Sequence, residues 1–146
     1  SDIIYNNFIN IMKKFENIST RPGFMKHNGG LMFRSISKKK YQFKTKVKKI
    51  NLNRAGITHG GFLAGIIDAG SGTAVHRAAG KKVCVTISLD IKFIGSSVFG
   101  DEIIGDVDIQ KVTNSLVFMR CKLSSNKKVL AIGNGVWKKT NRSFIY

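Results

Sequence analysis

Asp68 is the only carboxylate between His59 and Val75, a stretch otherwise filled by small and apolar residues. On a helical wheel its side is shared by Gly61, Ala64, Gly65, Gly72 and Val75, mostly small residues that let a second backbone or a ligand come close. A carboxylate in such a place is costly unless it is hydrogen-bonded, paired or open to a cleft. Nine residues before it stands Thr58-His59-Gly60-Gly61. Thr58 or His59 can cap a helix there, and Gly60 and Gly61 offer N–H groups with no side chain in the way. A helix start carries partial positive charge and free donors, so it can bind an anion or stabilise a developing oxyanion. The chemistry suggested is therefore a carboxylate base working with an oxyanion-binding helix start. Along one helix the two lie about 13 Å apart, too far to serve the same reacting atom. If they cooperate, the second half must come from another copy of the chain, and the site is shared across a dimer.

The elements that must carry these residues follow from periodicity. Ile4, Phe8, Ile11 and Phe15 recur at helical spacing, which predicts an amphipathic helix over about 2–18 rather than a signal peptide. Ser19 to Gly23 reads as a loop. Strands are expected at about 31–36 and 41–50, then the irregular stretch Asn51 to Thr58. The principal helix spans His59 to about Ala78, stopped by Gly80. The clearest strand alternates Val83, Val85, Ile87, Leu89, Ile91 and Phe93 with Cys84, Thr86, Ser88, Asp90 and Lys92. Three more are expected at about 101–112, 115–124 and 128–139, separated by turn signals. Consecutive strands joined by short turns imply an antiparallel sheet. The class is therefore α+β: one domain over residues 1–146, with an N-terminal helix over 1–20 and a core over 31–139 packed around one long helix.

Charge pulls toward a different answer. Lys plus Arg total 25 against 8 Asp plus Glu, a formal net charge of +17. Such a field favours polyanionic partners: nucleic acid, an acidic membrane surface, or phosphate-bearing small molecules. The charges are nevertheless spread along the chain. Lys44, Lys46 and Lys48 fall opposite Phe43 and Val47, as on the solvent side of a half-buried strand. Nucleic-acid binding would require aromatic residues interleaved with basic ones on an exposed face. No stretch is long and apolar enough to suggest a membrane span. Cys84 and Cys121 show no framework spacing, and Cys84 reads as packing rather than as a nucleophile; reduced thiols and a cytoplasmic location are the expectation. His27, His59 and His76 lack metal-ligand spacing, so neither a metal site nor a cofactor is expected. P-loop, dinucleotide and nucleophile-elbow motifs are not found.

Asn53-x5-His59-Gly60-Gly61-x6-Asp68, followed by the strand Val85-Thr86-Ile87-Ser88-Leu89-Asp90-Ile91-Lys92-Phe93, resembles the hotdog-fold acyl-CoA thioesterases, in particular the phenylacetate-degradation and human thioesterase-superfamily type. The resemblance covers about residues 40–139. It implies an antiparallel sheet wrapped around the long central helix, a homodimer or homotetramer, and an acyl-CoA substrate hydrolysed to free acid and CoA. By that resemblance Gly60 offers the N–H that polarises the thioester carbonyl, with Asn53 assisting and His59 ordering the helix start. Asp68 of the other subunit is the general base or nucleophile, and Thr86 orients the attacking water. Gly61, Phe93 and Lys111 are the expected substrate contacts, Lys111 toward a CoA phosphate with Lys138 and Lys139 behind it. A non-hydrolytic acyl-CoA-binding protein on the same fold is the alternative, then a basic nucleic-acid-binding protein. The retained Asp68 and Asn53 argue for hydrolysis, since binding alone needs no base.

Overall fold

The strand Lys40–Lys46 (β3) shows how side-chain alternation builds this molecule. Tyr41, Phe43 and Thr45 are buried while Lys40 and Lys46 lie in solvent, the period-2 pattern of a sheet with one covered face. The computed structural model describes residues 2–4 and 14–145. Before β3 come β1 (Glu16–Asn17), the short helix α1 (Phe24–His27) and β2 (Met32–Ser35). After it come a 3-10 turn (Lys49–Asn51), the long helix α2 (Gly60–Ala78), and β4 (Cys84–Phe93), β5 (Glu102–Val112), β6 (Leu116–Ser125) and β7 (Lys128–Lys139).

The strands form one sheet in the order β1-β2-β3-β5-β6-β7-β4, and every neighbouring pair is antiparallel. Helix α2 carries the chain from β3 to the far edge and lies against one face. It buries Phe62, Leu63, Ile66, Ile67, Gly70, Ser71, Ala74 and Val75, a stripe at 3–4-residue spacing. From the sheet, Phe33, Phe43, Ile103, Val107, Met119, Leu123 and Trp137 meet that stripe. Gly61, Ala64, Gly65, Asp68 and Gly72 stay exposed or half-buried on the other side of the helix, whereas Val75 turns into the core.

One contact fixes how deeply the helix sits. The Phe43 ring is fully buried between α2 and the neighbouring strand. A Cβ at Gly70 would lie 2.2 Å from it, and a Cβ at Gly105 on β5 likewise 2.2 Å. Both positions therefore need glycine for close approach rather than for backbone freedom.

Two expectations are corrected. The helix expected over about 2–18 does not reach its end: residues 2–4 are helical, residues 5–13 lie outside the described residues, and Glu16–Asn17 form β1. These two residues pair with Phe33 and Met32, because the open edge of β2 offers partners for their backbone groups. The second correction concerns β4. Its pairing with β7 shifts between Thr86 and Ser88, with Thr86 opposite Trp137 and Ser88 opposite Val136. Ile87 is thus the extra residue of a β-bulge, which switches the faces of the strand. Leu89 and Ile91 pack on the core as expected, but Cys84 joins them, while Ile87 is 56 % exposed.

Candidate active site

The helix start is built from the loop upward. Asn53 Oδ1 accepts the N–H groups of Ala55 and Ile57 at 2.9 and 3.3 Å, and Gly56 takes a left-handed φ of 79°, so Asn53 shapes a tight turn. Thr58 is locked next: its N–H donates to the Ser97 carbonyl, and its hydroxyl lies 2.6 Å from that of Ser97. His59 then caps α2, with Nδ1 accepting the Gly61 N–H at 2.8 Å. The N–H groups of Phe62 and Leu63 turn back to the His59 carbonyl. Of the two glycine donors, Gly61 is consumed by the cap, and Gly60 has no acceptor among the described residues. The Nδ2 donors of Asn53 likewise have no acceptor among the described residues, where only its Oδ1 is engaged. The ring of Phe93, 54 % exposed, flanks this end, 3.6 Å from where a Gly60 Cβ would stand.

The second cluster lies at the middle of α2. The Thr86 hydroxyl donates to Asp68 Oδ1 at 2.6 Å, the length of a charge-assisted O–H···O⁻ bond. This contact exists because of the bulge. Strict alternation would put Thr86 on the face opposite Leu89 and away from α2; the extra residue turns it toward Asp68 on α2, where it remains exposed. Asp68 and Thr86 line an open pocket of about 420 Å³ together with Gly72, His76, Cys84, Trp137 and Phe144 among others. His76 Nδ1 lies 2.7 Å from the Lys82 carbonyl, an acceptor only, so Nδ1 carries a proton and donates. The Phe144 ring meets the His76 ring edge-on at 5.0 Å. Burial pushes the Cys84 thiol above its ordinary value, with the positive charges of Lys139 and Lys82 partly opposing it.

Asp68 and Thr86 are thus brought together, and Asn53, His59, Gly60, Gly61 and Phe93 gather at the helix start. The two groups remain eight residues, about 12 Å, apart along α2. Lys111 joins neither. It sits at a second register shift, opposite Phe118 of β6; Phe118 faces Val136 and Val136 faces Ser88, so Lys111 lies about three strand spacings, or 14 Å, from β4. Gly72 and His76 were not singled out from sequence as site residues. Their signal was available, since 68, 72 and 76 form one i, i+4, i+8 row. Trp137 and Phe144 gave none, because their approach depends on strand register and on the chain end. Among the described residues no three His, Cys, Asp or Glu side chains converge as for a metal.

A single long helix cupped by an antiparallel sheet is the hotdog architecture. The family model described as Thioesterase superfamily matches residues 55–132, and the chain belongs to that superfamily. Membership supports a thioester-hydrolase type of activity. Solved structures give the same fold at low identity. Zebra fish thioesterase superfamily member 2 is 22% identical with a TM-score of 0.75, over 92% of this chain and 97% of its own. A variant of the phenylacetic acid degradation protein PaaI from Thermus thermophilus is 19% identical with a TM-score of 0.72, over 80% and 98%. The comparison with curated proteins returned no match. Among the described residues no helix is long and apolar enough to cross a membrane.

Proposed function

We propose that this chain hydrolyses acyl-CoA thioesters as a homodimer or homotetramer, with each active site assembled from two copies. The observation that carries the proposal is the 2.6 Å bond from Thr86 to Asp68 at the mouth of a pocket. With Oδ1 held by the Thr86 hydroxyl, Oδ2 of Asp68 is oriented to take a proton from water. The resulting hydroxide attacks the thioester carbonyl carbon. The charge that develops on the carbonyl oxygen is met by the Gly60 N–H and the Asn53 amide of a second copy, both donors without an acceptor among the described residues of their own chain. Collapse of the tetrahedral intermediate breaks the C–S bond, Asp68 returns its proton to the CoA thiolate, and the free acid departs.

The small residues on the exposed side of α2 support this pairing, since they let a second helix approach closely. The excess of positive charge supports a substrate carrying several phosphates, which it steers toward the protein. Lys111, distant within one chain, is assigned to a CoA phosphate at the site completed by another copy. The test is release of free thiol over a panel of short, long and aromatic acyl-CoAs. Asp68→Asn is expected to cost roughly 10²–10⁴ in kcat, the range for loss of a positioned general base. A variant that hydrolyses the preferred acyl-CoA at the wild-type rate would sink the assignment. Tight acyl-CoA binding without turnover by the wild-type protein would establish the binding-protein alternative instead.

A further inference from the structure

The turn between β4 and β5 presents apolar side chains to solvent on a stiff support. The Asp101 N–H donates to the Val98 carbonyl, and Asp101 Oδ2 accepts the Val98 N–H at 2.9 Å. Gly100 takes φ 87°, as the third residue of a type II turn requires. The turn is anchored further by Gly100 N–H to the Val47 carbonyl and Val47 N–H to the Asp101 carbonyl. Phe99 at its tip is 58 % exposed, Val98 50 %, and Ile50 on the adjoining 3-10 turn 60 %. Burying none of these, the fold holds them outward in one place.

Cations surround that tip. Lys49 Nζ stands 5.8 Å from the centre of the Phe99 ring. The β6–β7 hairpin, which carries exposed Lys127 and Lys128, is tied to the same turn by Asn126 Nδ2 donating to Asp101 Oδ1 at 3.4 Å. The acids at this end are Asp101, whose carboxylate those two bonds occupy, and Glu102, which faces Lys46 across the sheet. An apolar tip inside a basic collar matches a surface that is anionic outside and hydrocarbon within. We infer that this end of the molecule docks on anionic lipid bilayers, with Phe99, Val98 and Ile50 entering the headgroup–acyl boundary and the lysines meeting lipid phosphates and carboxylates. Single-stranded nucleic acid fits less well, because Ile50 and Val98 offer no ring on which bases can stack. The surface also accounts for positive charge that a CoA substrate does not require.

Flotation with phosphatidylcholine vesicles, with and without phosphatidylserine, tests the inference. The protein is expected to float with phosphatidylserine vesicles at low salt, to stay behind with pure phosphatidylcholine, and to dissociate as salt is raised. Phe99→Ser should weaken partitioning about tenfold or more. Lys49→Gln with Lys127→Gln should weaken it about 25-fold, near fivefold for each charge. Far-UV circular dichroism of both variants should match the parent, since Gly100 and the Asp101 bonds remain. Absence of flotation with phosphatidylserine, or equal flotation of Phe99→Ser, overturns the docking face. So does retention of a single-stranded oligonucleotide by a protein that ignores vesicles. Flotation does not read hydrolysis, so failure here and failure of the thioesterase proposal are separate results.

Discussion

If the active site is completed by a second copy, two inactive variants should rescue each other, and by a fixed amount. Asp68→Asn removes the base. Asn53→Asp removes the amide donor while keeping an oxygen for the Ala55 and Ile57 N–H groups, so the turn before α2 survives. Alone, the first should lose roughly 10²–10⁴ in kcat and the second about 10²–10³, the usual cost of one oxyanion donor. About 12 Å of helix separates Gly60 from Asp68, so a site made from one chain would contain only one of the two halves. In an equal mixture that has exchanged subunits, half of the dimers are mixed. Each mixed dimer has one site bearing both substitutions and one bearing neither. Activity should therefore return to about a quarter of wild type. The assay is thiol release before and after co-refolding, with differently tagged subunits captured together to prove exchange. Mixed dimers that remain as inactive as their parents would refute the shared site.

Thr86→Val should lower kcat about 10–100-fold, the worth of a hydrogen bond to a charged group converted to rate, while Thr86→Ser keeps most activity. The melting temperature should barely change in either, because both partners are exposed; a loss of activity that merely follows unfolding would speak against a positioning role. Gly70→Ala drives a methyl to 2.2 Å from a buried ring, and should cost about 1–3 kcal/mol, a fall in Tm of roughly 3–12 °C by calorimetry. Burial holds the Cys84 thiol neutral beyond its ordinary 9.0, so its thiolate fraction, and with it alkylation by iodoacetamide, should still be climbing as pH passes 9. Cys121, fully buried and pushed up to about 12, should stay unmodified until the protein unfolds. An alkylation rate already flat at pH 8 would contradict the Cys84 environment.

The long elements were legible because each carries its period over many residues. Tyr41 to Val47 alternates, and Phe62 to Val75 repeats every three or four positions, so sheet, helix and antiparallel class follow from local pattern. What escaped was set across strands or by very few residues. β1 has two residues and no period, and four-residue α1 follows the Ser19–Gly23 loop signal in a stretch too short to show one. The bulge at Ile87 is invisible because nothing in β4 itself says that Trp137 and Val136 will pair on either side of it. That one residue decides where Thr86 points. Asp68 was recognisable as out of place and Gly60 as a helix start. That His59 would spend its ring on Gly61, leaving Gly60 the free donor, depended on a torsion no spacing encodes.

The ring of Phe43 does more than fill space, for Gly70 follows Asp68 by only two residues. It acts as a shim: with glycine on both of its sides, the thickness of one aromatic ring sets the clearance between helix and sheet. Asp68 and Thr86 stand on those same two layers, at another place along them, so their separation inherits its tolerance from the far side of the helix. A core exchange such as Phe43→Leu is then a change of gauge, felt first as a shift in the alignment of two polar atoms it never touches.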